Sequence, residues 1–182
     1  MPWIEKRVIM DAATIDRTLN RMVHEIIEKN PDLNQLAIIG IRTRGIYLAE
    51  RLQKKLAETA KTEIPLGTLD ITMYRDDLSR LGYHPVVGET NLPFDIDEKR
   101  ILLVDDVLYT GRTIRAALDA LMDYGRPASI QLAVLLDRGH RELPIAADYI
   151  GRTIPTAKQE QVQVKLAETD KSDQVVIAEW KE

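Results

Sequence analysis

The stretch 101–113, ILLVDDVLYTGRT, joins residue types that could bind a phosphorylated sugar. An apolar run leads into two adjacent carboxylates, Asp105 and Asp106, which are poor ligands for phosphate but good acceptors for two neighbouring sugar hydroxyls. The turn 108–113 holds a glycine and two threonines and leads into a predicted helix, so its backbone N–H groups could bind a phosphate. It lacks the glycine and lysine spacing of the Walker loop. The stretch therefore predicts a site for a sugar 5-phosphate; a strand-to-helix turn capped by acids is the alternative.

The elements that must position this stretch are predicted from hydrophobic periodicity and from turn residues. Continuous apolar runs of strand length are typical of parallel strands that are buried on both faces. The predicted strands are 7–10, 36–41, 64–74, 100–106 and 129–137, with two short strands in the tail sequences ADYIG and QVVIAEW. The predicted helices are 12–30 with Asp11 as N-cap, 46–60, and 113–125 with Gly125 as C-cap. This alternation predicts an α/β fold with a central, mainly parallel sheet flanked by helices.

In such sheets a ligand binds beyond the carboxyl ends of the strands. That rule places residues 42–45, 105–113 and 137–140 around one crevice. Residues 75–95 contain Gly, Pro and Asn but little periodicity, and they are too many for an ordinary connection. We expect a flexible lid over about 75–95.

The composition is that of an ordinary globular chain. The 182 residues are 45% hydrophobic and 30% charged, which fits one domain, 1–182. The absence of cysteine excludes disulfides and thiolate metal sites, and charges near the start replace the apolar part of a signal peptide, so we expect a cytoplasmic protein. No apolar run approaches the roughly 20 residues of a membrane span, so no membrane partner is expected. The net charge of −4 gives no general attraction to nucleic acid, and an RNA contact needs a local basic patch.

The stretch 101–113 resembles the phosphoribosyl-pyrophosphate motif of the type I phosphoribosyltransferases, and GIRTRG at 40–45 resembles their pyrophosphate loop. The resemblance implies a type I phosphoribosyltransferase fold with a small hood and a lid. It implies that the acid pair is catalytic and holds the ribose hydroxyls, while the following turn holds the 5-phosphate. The residues implied in binding phosphoribosyl pyrophosphate are Asp105, Asp106, Val107, Leu108, Tyr109, Thr110, Gly111, Arg112 and Thr113.

The same resemblance assigns the pyrophosphate loop and the base of the lid. Thr43, Arg44 and Gly45 would take the pyrophosphate charge, with a strained peptide at 43–44. Mg²⁺ would arrive on substrate oxygens, without a dedicated protein site. The residues implied at the lid are Tyr74, Arg75, Asp76, Asp77 and Arg80, of which the two arginines could place positive charge over the pyrophosphate.

A wider similarity points to one subgroup, the pyrimidine operon regulators that are also uracil phosphoribosyltransferases. It runs through GIRTRGIYLAERL, DITMYRDDLS, VDDVLYTGRTIRAALDAL and GRPASIQLAVLLDRGHRELPIAADYIGRTIPT. Tyr109 also points away from a purine base, because purine-using members of the family have an aspartate at that position. The resemblance implies transfer of phosphoribosyl to uracil, binding of UMP and UTP, and nucleotide-dependent binding to an mRNA leader that attenuates transcription. It also implies a homodimer or a higher homo-oligomer.

The expected hood covers about 138–182 together with the N-terminal segment. The candidate residues near the base are Asp137, Arg138 and Ile150. The candidate RNA contacts are positive residues of the first helix and of the hood: Arg17, Arg21, His24, His140, Arg141 and Arg152. The alternative for these charges is a solvated surface. Ala146 replaces a residue that is often basic in RNA-binding members, which leaves RNA regulation open.

Two other functions stay open. One is a nucleotide-sensing RNA regulator with negligible catalysis, although a sensor of UMP alone needs no pyrophosphate loop. The other is a phosphoribosyltransferase for another base, such as orotate, for which Arg138 could supply a cation.

Overall fold

The computed structural model describes residues 3–82 and 84–181. The strands are β1 Trp3–Met10, β2 Leu36–Ile41, β3 Leu66–Leu69, β4 Arg100–Leu108, β5 Ser129–Asp137, β6 Tyr149–Thr153, β7 Glu160–Lys165 and β8 Gln174–Trp180. The helices are α1 Ala12–Lys29, α2 Arg44–Ala60, α3 Arg112–Met122 and the short α4 Ala167–Asp170. A five-stranded sheet in the order β3-β2-β4-β5-β6 is parallel throughout, which confirms the predicted α/β class. A second, three-stranded sheet in the order β1-β8-β7 is antiparallel.

The central sheet is buried on both faces because its strands are continuous apolar runs. All six residues of β2 are buried. Side chains alternate between two cores, so that Ile38 and Leu102 pack with α1, α2 and the small sheet, whereas Ile39 and Leu103 pack with α3. The ends of β2, β4 and β5 are thereby held at one edge of a rigid sheet.

The first helix forms as its pattern predicts. The carboxylate of Asp11 accepts the backbone N–H of Thr14 at 2.8 Å and caps the helix. Residues at helical spacing form the buried stripe, namely Ile15, Leu19, Met22, Val23 and Ile26. The stripe holds α1 against α2 and β6 and leaves its polar side exposed.

The predicted third strand, 64–74, is wrong in its length, since β3 covers only Leu66–Leu69. Asp70 ends it, because its carboxylate accepts the backbone N–H groups of Thr72 and Gly88 at 3.0 Å each. Residues Thr72–Tyr74 then form a single 3₁₀ turn. The base of the expected lid is therefore a turn and not the end of a strand.

The predicted cap of the third helix is also wrong. α3 ends at Met122, and Asp123 is its C-cap residue. Gly125 instead permits a close approach of two chain segments, since a Cβ there would lie 2.5 Å from Oδ1 of Asp97.

The small sheet joins the two ends of the described chain. β1 pairs with β8 from Trp3 opposite Trp180 to Met10 opposite Val175. β7, which was not among the predicted strands, is the other edge and packs against β4. We call this sheet, with residues 138–159 that lead into it, the hood. Within the described ranges, no helix combines the length and the apolar character needed to cross a membrane.

Candidate active site

Three loops that follow parallel strands meet at one edge of the central sheet. The loop after β2 packs against β4, since a Cβ added at Gly45 would lie 2.5 Å from the carbonyl oxygen of Val104. The end of β5 lies beside the end of β4, with Asp137 opposite Leu108 in the register. The backbone N–H of Arg138 donates to the carbonyl of Leu108 at 3.1 Å. The structure therefore brings the three predicted loops together around one crevice.

Asp105 and Asp106 are neighbours on β4 but have different surroundings. Asp105 is 7% exposed, and its Oδ1 accepts the backbone N–H of Asp106 at 2.9 Å. Burial first, and the adjacent charge of Asp106 second, raises the pKa of Asp105 well above its ordinary value. Asp106 is only partly buried and lines a cavity of about 310 Å³ together with Arg44 and residues of β7. Asp106 is thus open to a ligand, whereas Asp105 is shielded from solvent.

The turn between β4 and α3 has the geometry of an anion-binding loop. Gly111 has φ +95°, a left-handed conformation that favours glycine. The carbonyl of Tyr109 accepts Nη1 of Arg141 at 2.6 Å, and the carbonyl of Thr110 accepts the N–H groups of residues 142–143 at 2.9 and 3.1 Å. Because the N–H of a trans peptide points away from its C=O, the N–H groups of Thr110 and Gly111 point away from the hood.

A second cavity of about 350 Å³ lies in front of this turn. It is lined by Tyr109, Thr110, Arg112 and Thr113 together with residues 75–77. One expected donor is already used, since the N–H of Arg112 donates to Oγ1 of Thr110 at 3.2 Å. The cavity sets the remaining donors of the turn beside Arg75 and Arg112, each of which is paired with an aspartate of residues 76–77.

The loop after β2 carries Arg44 into the cavity that Asp106 lines. A cis peptide bond joins Arg42 to Thr43, one residue before the position 43–44 at which the family resemblance implies a strained peptide, and that implied position stays a prediction. α2 begins at Arg44 and not at residue 46, which places Gly45 in its first turn against β4. The backbone N–H groups at this helix start face the same edge of the sheet as the acid pair.

Arg138, predicted to lie near the base, holds the hood in place. Its guanidinium lies 4.0 Å from the centre of the Tyr109 ring and donates to the carbonyl oxygens of Ala157 and Glu160 at 3.1 and 2.8 Å. Burial lowers its pKa from the ordinary arginine value. Arg138 thus ties the turn between β4 and α3 to the start of β7.

The other two predicted base contacts also have partners away from the Asp106 cavity. Oδ2 of Asp137 lies 2.7 Å from Nη2 of Arg141, and Ile150 packs against the core on the α3 side. The residues that do line the cavity opposite Asp106 are 161–165 of β7, which sequence reasoning missed. The alternation of Gln and Val in EQVQVK was the available signal.

Comparison with known proteins is decisive for the family. A family model described as phosphoribosyl transferase domain matches residues 9–169. The chain belongs to this phosphoribosyl transferase family. A bifunctional protein PyrR of Deinococcus radiodurans is 61% identical over 168 residues, 92% of each chain. One of Listeria monocytogenes is 58% identical over 173 residues, 93% of this chain and 94% of the relative. These similarities confirm the family expected from the sequence.

Solved structures support the fold. The hypoxanthine phosphoribosyltransferase of Trypanosoma cruzi superposes with a TM-score of 0.74 at 18% identity, over 97% of this chain and 98% of that chain. At this identity the similarity shows the shared phosphoribosyltransferase fold and leaves the base open.

The expected lid of this phosphoribosyltransferase is tethered at both ends. At its start, Nη2 of Arg115 donates to the carbonyl of Tyr74 at 2.8 Å, and Asp76 pairs with Arg112 at 2.6 Å. At its end, Arg42 donates to the carbonyl of Glu89 at 2.7 Å. Arg75 pairs with Asp77 at 2.7 Å, and Arg80 is exposed. Tyr83, which falls inside the expected lid, lies outside the described residues.

The six candidate RNA contacts divide into two groups. Arg17 and His24 are exposed on α1. The other four bind backbone carbonyls: Arg21 those of Ile150 and Gly151, Arg152 that of Ile9, His140 that of Thr156, and Arg141 those of Tyr109 and Ile145. The second group therefore stabilises the fold through these hydrogen bonds, a role that the sequence did not reveal.

Proposed function

We propose that this phosphoribosyltransferase transfers phosphoribosyl from phosphoribosyl pyrophosphate to uracil, giving UMP and pyrophosphate, and binds an mRNA leader under the control of uridine nucleotides. The observation that carries the catalytic half is the shared cavity of about 310 Å³, which Asp106, Arg44 and β7 line together. A hydroxyl acceptor, a cation and a strand edge thus surround one space large enough for a ribose and a base.

Two cavities divide the substrate between them. The N–H groups of the turn at Thr110 and Gly111, with the Thr113 hydroxyl, bind the 5-phosphate at the cavity before α3, which Thr110 and Thr113 line. Asp106 accepts hydrogen bonds from the ribose hydroxyls, and Asp105 supports it from the buried side. Arg44 and the N–H groups at the start of α2 face the pyrophosphate.

The reaction forms a bond between the anomeric carbon and N1 of uracil, breaks the bond to pyrophosphate, and releases the N1 proton. Positive charge grows on the sugar and negative charge on the leaving group. Asp106 stabilises the first and Arg44 stabilises the second, so both act more strongly in the transition state than in the ground state. The lid excludes water, which would otherwise compete with uracil.

Mg²⁺ is the metal that this substrate requires. Across residues 3–82 and 84–181, no group of three or more His, Cys, Asp or Glu side chains could hold a metal alone. The oxygens of Asp106 fit a hard cation that keeps most of its ligands from substrate and water. When bound, the ion neutralises pyrophosphate oxygens.

The outer edge of β7 recognises the base through hydrogen bonds. β7 is the outer strand of the hood sheet, so its outward backbone groups are unpaired within that sheet. Gln161 and Gln163 are hydrogen-bonded to each other at 2.9 Å and line the cavity, and together with the strand they offer the donors and acceptors that match two carbonyls and one N–H of uracil. Tyr109 supplies no carboxylate for a purine nitrogen.

The regulatory half is supported by similarity to relatives named bifunctional protein PyrR, at 56–61% identity, and by the exposed cations Arg17 and His24. UMP or UTP in the site orders the hood, which carries β6 next to α1. A homodimer in the cytoplasm would bring two such helices to one RNA.

A substrate panel tests the catalytic half. The protein is mixed with phosphoribosyl pyrophosphate, Mg²⁺ and one of uracil, orotate, hypoxanthine or guanine, and pyrophosphate release is measured. We expect release with uracil alone. Release with orotate would reassign the base, and binding of UMP without release from any base would leave a nucleotide-sensing regulator.

A further inference from the structure

We infer that Asp170 is a positioning residue for the transfer reaction: it holds the guanidinium of Arg44 in the pyrophosphate subsite before the substrate arrives. This inference rests on the proposed function, because it assumes that Arg44 meets pyrophosphate.

The geometry at Arg44 is that of a side chain held from one side. Its Nη2 lies 2.9 Å from Oδ1 of Asp170, and both residues line the cavity with Asp106. Nε of Arg44 is buried and has no hydrogen-bond partner among the described residues. One donor of the guanidinium is thus fixed by Asp170, while others remain for an anion.

Asp170 is itself fixed by its own turn. Its Oδ2 accepts the backbone N–H of Leu166 at 2.9 Å and the hydroxyl of Thr169 at 2.8 Å, and its own N–H donates to the carbonyl of Leu166 at 2.7 Å. Burial acts to raise its pKa, but the Leu166 N–H and Arg44 together hold the pKa below its ordinary value. The carboxylate is therefore charged and stationary at neutral pH.

The turn is anchored to the helix that begins at Arg44. Arg51, two turns along α2, binds Glu168 through Nε and Nη2 at 2.9 and 2.6 Å, and binds Asp173 at 2.9 and 2.8 Å. Asp173 also accepts the N–H of Ala167. Residues 166–173 thus form a strap that is clamped to α2 on both sides of Asp170.

The consequence is preorganisation. A free arginine has many rotamers, and an anion that recruits it must first order it. The strap carries out this ordering in the free enzyme, so pyrophosphate meets a guanidinium that is already placed beside Asp106. Asp170 acts through Arg44, so its loss should be felt by pyrophosphate and not by the nucleotide.

The test measures binding of magnesium pyrophosphate and of UMP by calorimetry. In Asp170→Asn, the amide oxygen can keep the bond to Leu166 while the NH₂ group faces Arg44 and cannot accept from it. We expect magnesium pyrophosphate to bind about fivefold more weakly, the size expected for a partly exposed ion pair that orients a ligand group, and UMP to bind as in the wild type. Arg51→Met loosens the strap and should show a smaller loss of the same kind.

Two controls separate this role from damage to the fold. Asp32→Asn changes an exposed aspartate that accepts the backbone N–H of Asn34 at 3.1 Å, outside the strap and both cavities, and should leave both affinities unchanged. In an Arg44→Gln background, Asp170→Asn should have no further effect.

Equal loss from Asp170→Asn with and without Arg44 would overturn the inference, as would unchanged or tighter pyrophosphate binding. A wild-type protein that binds no magnesium pyrophosphate would instead overturn the proposed function, and this inference with it. If the wild type catalyses the transfer and Asp170→Asn binds magnesium pyrophosphate as tightly as the wild type, only the inference fails.

Discussion

The turn after β4, which we propose as the phosphate loop, lines the cavity in front of α3, whereas the hood lines the cavity at Asp106, and different forces hold the two regions. The phosphate loop follows a strand whose residues Ile101–Val104 are fully buried, and its position is set by the apolar core on both faces of the sheet. The apolar face of the hood sheet joins the core that α1 and α2 share with the central sheet, and near the site the hood is held by arginine side chains that donate to backbone carbonyls.

These arginines join segments of the hood to one another. Arg138 reaches Ala157 and Glu160 at the start of β7, and Arg152 reaches Ile9 of β1 at 3.0 Å. A guanidinium can satisfy several carbonyls at once and is less strongly hydrated than an ammonium, so it suits partly buried junctions. Such junctions can loosen without unfolding the sheet beneath them, which is what a site that admits and releases nucleotides requires.

The largest effect should come from the acid pair, on the rigid side of the comparison. Asp106→Asn should lower turnover with uracil by roughly 100-fold, because the lost charge faces the anomeric carbon as positive charge develops. The fold should persist, since the amide oxygen of the variant could still accept the N–H of Val107 as the Asp106 carboxylate does at 2.8 Å. Steady-state kinetics and circular dichroism measure both. Asp119→Asn, which changes an exposed acid of α3, is the control; near wild-type turnover in Asp106→Asn would remove this residue from the site.

The second effect concerns Arg141, which the sequence assigned to RNA. The structure gives it bonds to the carbonyls of Tyr109 and Ile145 and to Asp137, so it braces the phosphate loop from the hood side. Arg141→Gln should raise KM for phosphoribosyl pyrophosphate about tenfold through misplaced donors. It should also lower the free energy of unfolding by about 2 kcal/mol through lost charge-assisted bonds. An unchanged KM, with a change only in RNA binding, would show that the brace is unimportant.

The parts of the structure that the sequence predicted lie mostly in the central sheet, and the parts that it did not predict lie mostly in the hood. β2 and β4 were predictable because a buried parallel strand is a continuous apolar run, and the acid pair and turn were predictable because their chemistry lies within thirteen consecutive letters. β7 was not, because it pairs with β8, which in turn pairs with β1 from the other end of the chain, so the sheet depends on contacts between distant parts of the sequence. Arg138 was predicted near the base and Arg141 at the RNA face, because the sequence alone does not distinguish an arginine that binds a carbonyl from one that binds a base or RNA.

The expected lid is largely exposed between its two tethered ends and should respond to ligand. Val86 is 91% exposed and Val87 is 53% exposed, whereas Gly88 donates to Asp70, so the movable part ends near residue 87. Trypsin should cut after Arg80 in the free protein. Phosphoribosyl pyrophosphate with Mg²⁺ should slow that cut by at least about fivefold, because closure lowers the open population. Cleavage after Lys61, at the far end of α2, serves as the reference, and equal rates at Arg80 with and without ligand would rule out a lid.

Asp105 should show that the acid pair lowers the stability of the fold. Its pKa is raised by burial and by Asp106, so the fold favours its protonated form. That contribution is fully present below the unfolded pKa of about 3.9 and is lost as pH rises through the higher folded pKa. Asp105→Asn should therefore raise the free energy of unfolding at pH 8 by about 1 to 3 kcal/mol, the range for an unsatisfied buried group, and by less at pH 5. Denaturation at both pH values measures this, and a variant that is less stable at pH 8 would contradict the buried-charge account.

The smallest effect should come from the expected RNA contacts. Only cations that bind no backbone carbonyl of the fold should affect RNA binding without affecting the site. Arg17 is exposed on α1, so Arg17→Ala should reduce the slope of log K against log salt by about one unit, or about fourfold in affinity between 50 and 200 mM salt. Turnover should be unchanged, because α1 contributes no residue to either substrate cavity. Gel shifts on a pyrimidine-operon leader RNA, with and without UMP, measure the slope, and Lys54→Ala on α2 is the control.

UMP should tighten RNA binding, and RNA should tighten UMP binding by the same factor. If micromolar protein gives no shift, Ala146→Arg should produce one, since it restores a charge at an exposed hood position; failure of both would leave an enzyme without RNA regulation.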